Sequence, residues 1–410
     1  MKKNNIVNNS IMLIIFNVAK IIFPFITLPY LTRVLTKDTY GTVTYVKTVM
    51  TYMQIFVDFG FVLSGTKDIV KNIKNKEKLN IIIGDTLLAR TILGLFGFII
   101  VFVLSILLPI LRENILYTML SYIAIFGSIY LLDYVFRGYE RMHVIAIRFV
   151  LMKVISTLFT FILIKNDGQL LLIPILDIIS TGIAILLVLY EAKKMDIHMK
   201  ISKLSNVFIK IKESFVYFIS SAAATSFNAL STIIIGIYLS KTEVANWGLC
   251  MQVIGTIQAC YTPITDAIYP EMIKNRNINL IKKIIKIFTP IIGIGCIIAY
   301  FLTPFGINLL GGEKYIEVVP IFRILIPCLF IGFFGMLLGW PVLGAIEKQK
   351  EVTKSTVFSV LINISLIALL IITNNFTLVN IAIVRITADL SLFLFRVYYY
   401  RKYKSNFVRS

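Results

Sequence analysis

The sequence has few charged residues, and its charges are unequal in sign. Of its 410 residues only 15% are charged, whereas 58% are hydrophobic and the mean hydropathy is +0.86. A soluble globular domain carries about 45–50% apolar and about 25% charged residues, so this chain has too little polar surface for a water-soluble body. It also lacks the low hydrophobicity that intrinsic disorder requires. A soluble enzyme, a secreted disulfide-rich domain and a nucleic-acid-binding protein are therefore poor interpretations.

Residues that perform catalysis or bind metals are also scarce. The four cysteines are Cys250, Cys260, Cys296 and Cys328. All four lie in apolar segments without CxxC spacing, so we interpret them as small buried hydrophobic residues. The two histidines, His143 and His198, fall in polar loops, and the sequence contains no HExxH, GxSxG or P-loop motif. We therefore predict no catalytic residue, no metal site and no enzyme activity.

Long apolar segments dominate the chain. A helix needs about 20 mostly apolar residues to cross the hydrocarbon core of a bilayer, and twelve segments meet this requirement. They span residues 10–32, 40–65, 80–109, 115–136, 149–165, 169–190, 214–239, 245–270, 284–304, 319–343, 354–373 and 378–400. The predicted fold class is an all-α integral membrane protein with about twelve transmembrane helices. No small-residue cleavage site follows the first segment, so we interpret it as a membrane helix and not as a signal peptide.

The excess of basic residues indicates how these helices are oriented. The chain has 41 Lys and Arg against 21 Asp and Glu, a net charge of +20. With a cytoplasmic N-terminus, 29 of the basic residues fall in segments on the cytoplasmic side and six in the outer loops. Basic loops resist translocation, so both termini are predicted to lie in the cytoplasm, and the excess gives no indication of a nucleic-acid partner.

The longest predicted cytoplasmic loop, residues 191–213, divides the chain into two halves of six helices. We predict an N-terminal six-helix lobe at residues 1–200 and a C-terminal six-helix lobe at residues 201–410. In each half a short polar turn and an aromatic-glycine pair join the first two helices, at residues 35–41 and 239–248. Six helices return the chain to the same side of the membrane, which favours a parallel repeat of the two halves.

Six basic residues remain inside the predicted helices, where an unpaired charge is costly. They are Lys20, Lys47, Arg90, Lys153, Arg323 and Arg385. Lys20 lies about ten residues from the helix ends with no acidic residue one turn away, so it is expected to face a watery cavity or to pair with a neighbouring helix. The same depth, and a poor five-residue spacing from Asp85, suggest that Arg90 faces a cavity.

The positions of the other four basic residues can be explained without a cavity. Lys47 and Lys153 lie near helix ends and can extend to the membrane surface. Arg323 can be interfacial, and Arg385 is spaced to pair with Asp389 in the same helix. A cationic cavity requires an anionic ligand such as phosphate or pyrophosphate.

Acidic residues in the helices are candidates for ion coupling or for charge balance. They are Asp85, Asp133, Asp177 and Asp266. Carboxylates inside a membrane can carry H⁺ or Na⁺, which are the candidate coupling ions, and no other cofactor is predicted. Proline removes helical hydrogen bonds and bends helices. The predicted hinge residues are Pro24, Pro29, Pro263 and Pro270.

Several segments form motifs that are typical of a known family. The first are Phe-Ile-Thr-Leu-Pro-Tyr-Leu-Thr-Arg-Val-Leu at 25–35, Tyr-Gly at 40–41, Val-Asp-Phe-Gly-Phe at 57–61 and Thr-Lys-Asp-Ile at 66–69. The others lie at residues 137–142, 261–270 and 311–315. Together these segments resemble Wzx-type polysaccharide flippases, which form the polysaccharide transporter family of the multidrug/oligosaccharidyl-lipid/polysaccharide exporter superfamily.

The resemblance implies two six-helix lobes around a central cationic cavity. Such proteins move undecaprenyl-pyrophosphate-linked oligosaccharide repeat units from the cytoplasmic to the outer leaflet of the bacterial plasma membrane. Transport is by alternating access, and the units enter O-antigen or capsule synthesis. Lys20 and Arg90 match the expected cavity cations, with Lys47 and Arg323 assisting near the outer mouth. The expected partners are this lipid-linked oligosaccharide, membrane lipids, a polysaccharide polymerase and a chain-length regulator.

Three other functions fit the sequence less well. An ion-coupled multidrug exporter of the same superfamily would favour an acidic cavity, which the basic residues inside the helices disfavour. A peptidoglycan-precursor lipid flippase typically has more helices. A polysaccharide polymerase needs a large outer loop, and the longest one here covers only residues 305–318.

Overall fold

The computed structural model describes the backbone of residues 3–407. It describes the side chains of residue 9 and residues 11–407, apart from 220, 224, 227 and 228. Within these residues the regular structure is helical and there is no β-strand, which confirms the predicted all-α membrane fold. Contacts divide the chain into two compact units. The first contains residues 1–225 and 232–237, and the second contains residues 226–231 and 238–410.

Within residues 3–407, the first unit contains nine helices and most of a tenth. They are α1 (Lys3–Val34), α2 (Lys37–Asp58), α3 (Phe61–Asn72), α4 (Lys76–Leu107), α5 (Pro109–Glu113), α6 (Ile115–Gly127), α7 (Asp133–Gly138), α8 (Met142–Leu163), α9 (Leu172–Lys194) and α10 (Leu204–Tyr238). Short 3₁₀ turns lie at 128–131 and 167–169.

The second unit, as far as residue 407, continues with seven further helices. They are α11 (Lys241–Ala259), α12 (Thr262–Asn275), α13 (Ile278–Gly311), α14 (Val319–Leu325), α15 (Pro327–Leu337), α16 (Gln349–Ile372) and α17 (Leu378–Lys402). Two 3₁₀ turns lie at 313–318 and 404–406, and a π-helical segment covers 338–344.

Ten helical segments of the described chain are long and apolar enough to cross a membrane. They correspond to predicted spans one to six and nine to twelve, and the second of them includes both α2 and α3. Predicted span seven falls in α10, where the described side chains include a shorter apolar stretch at residues 229–238. Predicted span eight is divided at residues 260–261 between α11 and α12. The chain is thus a multi-pass membrane protein.

The predicted hinge prolines occupy different places in the helices. Pro24 and Pro29 lie inside α1, which continues through both of them to Val34. Pro263 lies in the first turn of α12, where proline is tolerated because its missing N–H has no helical partner. Pro270 is internal to the same helix. The division between α11 and α12 therefore comes just before Pro263, and the hinge function itself stays a prediction.

The boundary between the units differs from the predicted one at residue 200, because the first half of α10 packs in the first unit. Val207 is fully buried in a cluster with Phe59, Phe61 and Ala89. The α2–α3 break passes close to α10 at Gly60, whose φ of 78° favours glycine and whose added Cβ would collide with the Tyr217 side chain.

The two turns that the sequence marks as a repeat share a capping geometry. Thr36 begins α2, and its hydroxyl accepts a hydrogen bond from the Thr39 N–H at 3.3 Å. Ser240 begins α11 in the same way, accepting from the Glu243 N–H at 3.2 Å. Both residue types are preferred N-caps because they satisfy a helix N–H that has no helical partner. The repeat therefore extends from the sequence to the local backbone.

A buried arginine holds an irregular helix in the second unit. Gly339 departs from helical geometry, with ψ of −118°, inside the π-helical segment that follows α15. From α17, Arg396 donates to the Gly335 carbonyl at 2.6 Å and to the hydroxyls of Ser355 and Thr356 at 3.2 Å each. No carboxylate of the described chain lies within salt-bridge distance of Arg396, so neutral oxygens satisfy its charge.

We expect Arg396→Ala to destabilise the protein, because the Gly335 carbonyl loses a charged donor in a buried site. The expected loss in the free energy of unfolding is about 2 kcal/mol. The measurement is thermal unfolding of the purified protein in detergent, with Arg401→Ala as the control because Arg401 is exposed near the end of the same helix. Equal melting temperatures for the two variants would contradict this assignment.

Candidate functional site

The first unit contains a cavity of about 620 Å³ lined by residues of α1, α2, α4, α6 to α10 and the 3₁₀ turn at 128–131. Eight of its lining residues are charged: Lys20, Lys47, Asp58, Arg90, Asp133, Arg148, Lys153 and Asp177. Five are cationic and three are acidic, so the formal charge of the lining is positive. Three of the four predicted anion-binding residues and two of the four predicted carboxylates therefore meet in one cavity.

Arg90 lines this cavity but is paired with a carboxylate. Its Nη2 lies 2.6 Å from Asp58 Oδ1, and its Nη1 donates to the Ile129 carbonyl at 3.1 Å. Gln54 donates to the other Asp58 oxygen at 3.0 Å. The Arg90 side chain is only 3% exposed, against 29% for Asp58. The partner of Arg90 comes from α2 and not from Asp85 on its own helix, so spacing along α4 could not reveal it.

Arg148 is a cavity residue that the sequence reasoning missed. It forms a salt bridge with Asp133, which begins α7, and its side chain is 4% exposed against 30% for Asp133. The sequence prediction assigned Arg148 to a cytoplasmic loop and began the fifth span at residue 149. In the structure α8 begins at Met142, so Arg148 lies two turns inside the helix. The apolar residues between 142 and 147 could have indicated that this helix begins before residue 149.

The cavity lysines differ from its arginines. Within the described residues, no carboxylate lies within 4 Å of the Lys20, Lys47 or Lys153 ammonium group. The Lys20 Nζ lies 4.3 Å from the ring centre of Phe16. Lys47 is exposed to the cavity although it lies in the middle of α2. Asp177 instead accepts a hydrogen bond from Ser156 at 2.8 Å. The lysines are therefore the cavity cations without a salt-bridge partner.

The remaining predicted site residues lie outside this cavity. Arg323, in the second unit, donates to the Tyr300 carbonyl at 3.2 Å and lies over the Tyr300 ring at 4.7 Å. Asp266 is an exposed residue of α12, also in the second unit. The described residues contain no cluster of three or more side chains that could bind a metal ion.

Asp85 anchors the linker between α9 and α10, which covers residues 195–203. One of its oxygens accepts from the Ser202 N–H and the other from the Ser202 hydroxyl, both at 2.8 Å. Asn80, one turn earlier, accepts from the His198 N–H at 3.1 Å, and its carbonyl accepts from the Lys200 N–H at 3.1 Å. The buried Asp85 carboxylate therefore has a structural partner, and its contacts do not support the predicted role in ion coupling.

An exposed cluster holds the start of the same linker. Lys76 and His198 both form hydrogen bonds with the Asp196 carboxylate. The hydrogen bond from Lys76, which has the larger effect, and the one from His198 both favour the ionised form. They therefore lower the pKa of the Asp196 carboxyl below its usual value. Asp196 therefore remains charged at neutral pH.

The sequence model of the family described as "Polysaccharide biosynthesis protein" matches residues 6–276. The chain belongs to this family. Residues 6–276 include all of the first unit except its first few residues, and all the charged residues of its cavity. This result confirms the resemblance to polysaccharide transporters that the sequence motifs indicate.

This family member has relatives at modest identity. A "Putative O-antigen transporter" of Shigella dysenteriae is 26% identical over 314 residues, covering 75% of this chain and 78% of the relative. A protein of the same name from Escherichia coli (strain K12) is 24% identical over 369 residues, covering 88% of each chain.

Solved structures of transporters share the fold of this family member. An inward-facing multidrug resistance MATE family transporter of the MOP superfamily aligns with a TM-score of 0.65 at 16% identity, over 95% of both chains. A eukaryotic MATE transporter aligns with a TM-score of 0.62 at 12% identity, over 96% of both chains. At this level of identity the likeness establishes the fold and no more.

We expect Asp85→Ala to release the linker from α4, because the Ser202 N–H and hydroxyl lose their acceptor. Trypsin cleaves after lysine, and Lys200 and Lys203 lie in this linker. The loss of hydrogen bonds to a charged acceptor is expected to accelerate cleavage there about tenfold. The measurement is limited proteolysis with mass spectrometry of the fragments. Ser202→Ala removes only one of the two bonds and should give a smaller acceleration, whereas an unchanged rate in Asp85→Ala would overturn the anchor.

We expect Arg90→Leu to lower the free energy of unfolding by about 2 kcal/mol, because the Asp58 carboxylate and the Ile129 carbonyl both lose a charged hydrogen-bond donor. The double variant Arg90→Leu/Asp58→Leu should recover part of this loss, since neither charge remains unpaired. Thermal unfolding of the wild type, both single variants and the double variant completes the cycle. Additive losses in the double variant would mean that the two residues are not coupled.

Proposed function

We propose that this protein transports a lipid-linked oligosaccharide across the membrane for surface polysaccharide synthesis. The observation that carries the proposal is the cationic cavity of the first unit, in a chain of the polysaccharide biosynthesis protein family. The names of the O-antigen transporter relatives point to the same class of substrate. The proposed substrate is an undecaprenyl-pyrophosphate-linked repeat unit that moves from the cytoplasmic to the outer leaflet, for O-antigen or capsule.

The cavity lysines are the proposed pyrophosphate contacts. An ammonium group inside a membrane is costly unless it faces water or an anion. Lys20, Lys47 and Lys153 have no salt-bridge partner in the described part of the chain, so a bound pyrophosphate would provide the missing counter-charge. The flexible lysine stem carries a compact charge that suits a phosphate contact from several directions.

The arginines have a supporting function in this proposal. Arg90 and Arg148 are buried and paired with Asp58 and Asp133, so their charge is already balanced. They hold the carboxylates in place and leave the lysines as the binding groups. Arg323 contacts Tyr300 in the second unit, and we assign it no role in this cavity.

Asp177 is the proposed group for ion coupling, because Asp133 is the permanent partner of Arg148. Asp177 is a partly exposed carboxylate that lines the cavity, and its oxygens can bind H⁺ or Na⁺. A bound H⁺ or Na⁺ would alter the charge balance around the lysines and hence their affinity for an anion. Alternating access would then deliver the substrate without making or breaking a covalent bond, so the proposed protein is a transporter and not an enzyme.

The orientation and the partners are further parts of the proposal. The distribution of basic residues supports cytoplasmic termini. A polysaccharide polymerase and a chain-length regulator would act on the delivered repeat units, and membrane lipids would surround the carrier.

We expect Lys20→Gln and Lys47→Gln each to reduce surface polymer about tenfold or more, because each removes one charged contact to the pyrophosphate. Lys20→Arg and Lys47→Arg retain the charge and should retain part of the activity. The measurement is surface polymer in a deletion strain that expresses each variant, together with the lipid-linked repeat unit that accumulates on the cytoplasmic leaflet.

Lys354→Gln is the matched control, because Lys354 is an exposed lysine of α16 in the second unit. Membrane abundance must be equal in all variants. Normal polymer in Lys20→Gln and Lys47→Gln would reject the lysines as the binding site. Normal polymer in the deletion strain itself, with increased sensitivity to drugs, would favour a multidrug exporter.

A further inference from the structure

A second pocket lies in the first unit, between α3, α4 and the beginning of α10. Its volume is about 380 Å³. It is lined by three lysines, two acidic residues and several hydroxyl groups: Lys67, Lys71, Lys210, Asp68, Glu213, Ser64, Ser214, Thr86 and Tyr217. None of these residues lines the larger cavity, so the pocket is a separate feature of the unit.

The contacts in this pocket leave cationic groups available. Lys210 is 17% exposed and lies 3.9 Å from Asp68, a long distance for an ion pair, while its Nζ donates to the Ile82 carbonyl at 3.4 Å. Lys67 and Lys71 are both exposed, one turn apart on α3, and within the described residues neither has a carboxylate within 4 Å. The Ser64 and Ser214 hydroxyls are 2.7 Å apart. Lys67 and Lys71 thus offer donors to one anionic group, whereas the two serine hydroxyls are already hydrogen-bonded to each other.

An apolar strip runs beside the pocket on the same helix. Leu63 and Val70 are 58% and 53% exposed, and they are seven residues apart on α3. Residues at this spacing share one helix face, and Lys67 lies between them on that face. The opposite face buries Phe61 and Ile69 in the unit. A helix with exposed apolar residues and interleaved lysines is typical of the membrane–water interface, where lysine ammonium groups reach the headgroups.

We propose that this pocket binds the phosphate of a membrane lipid headgroup. Lys67 and Lys71 contact the phosphate, and Lys210 with the Ser64–Ser214 pair forms the inner wall. The acyl chains lie along Leu63 and Val70. The apolar strip selects a lipid over a soluble phosphate, because a free ion would gain nothing from it. The site is independent of the substrate proposed for the larger cavity, since it shares no residue with that cavity.

The test measures thermal stabilisation of the full-length protein in a neutral detergent by phosphatidylglycerol. A ligand that binds only the folded protein raises its melting temperature with concentration, which yields an apparent Kd. The double variant Lys67→Gln/Lys71→Gln is expected to weaken this Kd about tenfold, because each lysine near the membrane surface attracts anionic lipid. Both side chains are exposed, so the ligand-free melting temperature should not change.

Three comparisons decide the outcome. Lys350→Gln/Lys354→Gln removes an exposed lysine pair of the same spacing in the second unit and should leave the Kd unchanged. Diacylglycerol, which lacks phosphate, and inorganic phosphate, which lacks acyl chains, should each stabilise the wild type much less than phosphatidylglycerol. Equal affinity in the two double variants would reject the pocket. A full response to diacylglycerol would reject the phosphate contact, and a full response to inorganic phosphate would reject the lipid.

Discussion

The structure of the cavity depends on one constraint, which is the free-energy cost of burying a charged guanidinium group. Arginine cannot shed its charge in a protein, so each buried arginine requires a permanent partner. Arg90 on α4 takes Asp58 from α2, and Arg148 on α8 takes the Asp133 that begins α7. Each pair joins two different helices across the cavity wall. The arginine is the buried member in both pairs, and the carboxylate keeps about a third of its surface open. The two salt bridges therefore hold the helices of the cavity wall together, and they also balance the charge of its buried arginines.

The second unit meets the same constraint in two other ways. Arg385 pairs with Asp389 one turn later on α17, at 3.3 Å, which is the intrahelical pair that its spacing predicts. Arg396 instead satisfies its charge with a backbone carbonyl and two hydroxyls. Because that carbonyl lies one turn before the irregular Gly339, the charge holds an irregular helix in place. Arg396 thereby joins α17 to both α15 and α16.

Composition was sufficient to predict the membrane fold but not the pairing inside it. Ten predicted spans correspond to apolar helices because the length of a span is a property of one segment. The Arg90–Asp58 pair depends on which helices are neighbours, and a spacing along α4 carries no such information. Arg148 was missed because a helix that begins with mixed polar and apolar residues resembles a basic loop. The contact between Asp85 and Ser202 was missed for the same reason as the Arg90–Asp58 pair. The two residues are distant in sequence, so spacing along α4 does not reveal their contact.

The division of labour between arginine and lysine in the cavity follows from their hydration. A guanidinium is weakly hydrated and binds in a fixed planar geometry, so it suits a buried position with permanent partners. An ammonium is strongly hydrated and sits on a flexible stem, so it favours a position that faces water. Lys20 and Lys47 are exposed in just this way, whereas Arg90 and Arg148 are buried. A carrier must release what it binds. An ammonium group can exchange a bound anion for water while the cavity wall behind it stays intact, which allows release. Displacing an arginine from Asp58 or Asp133 would instead disrupt the wall.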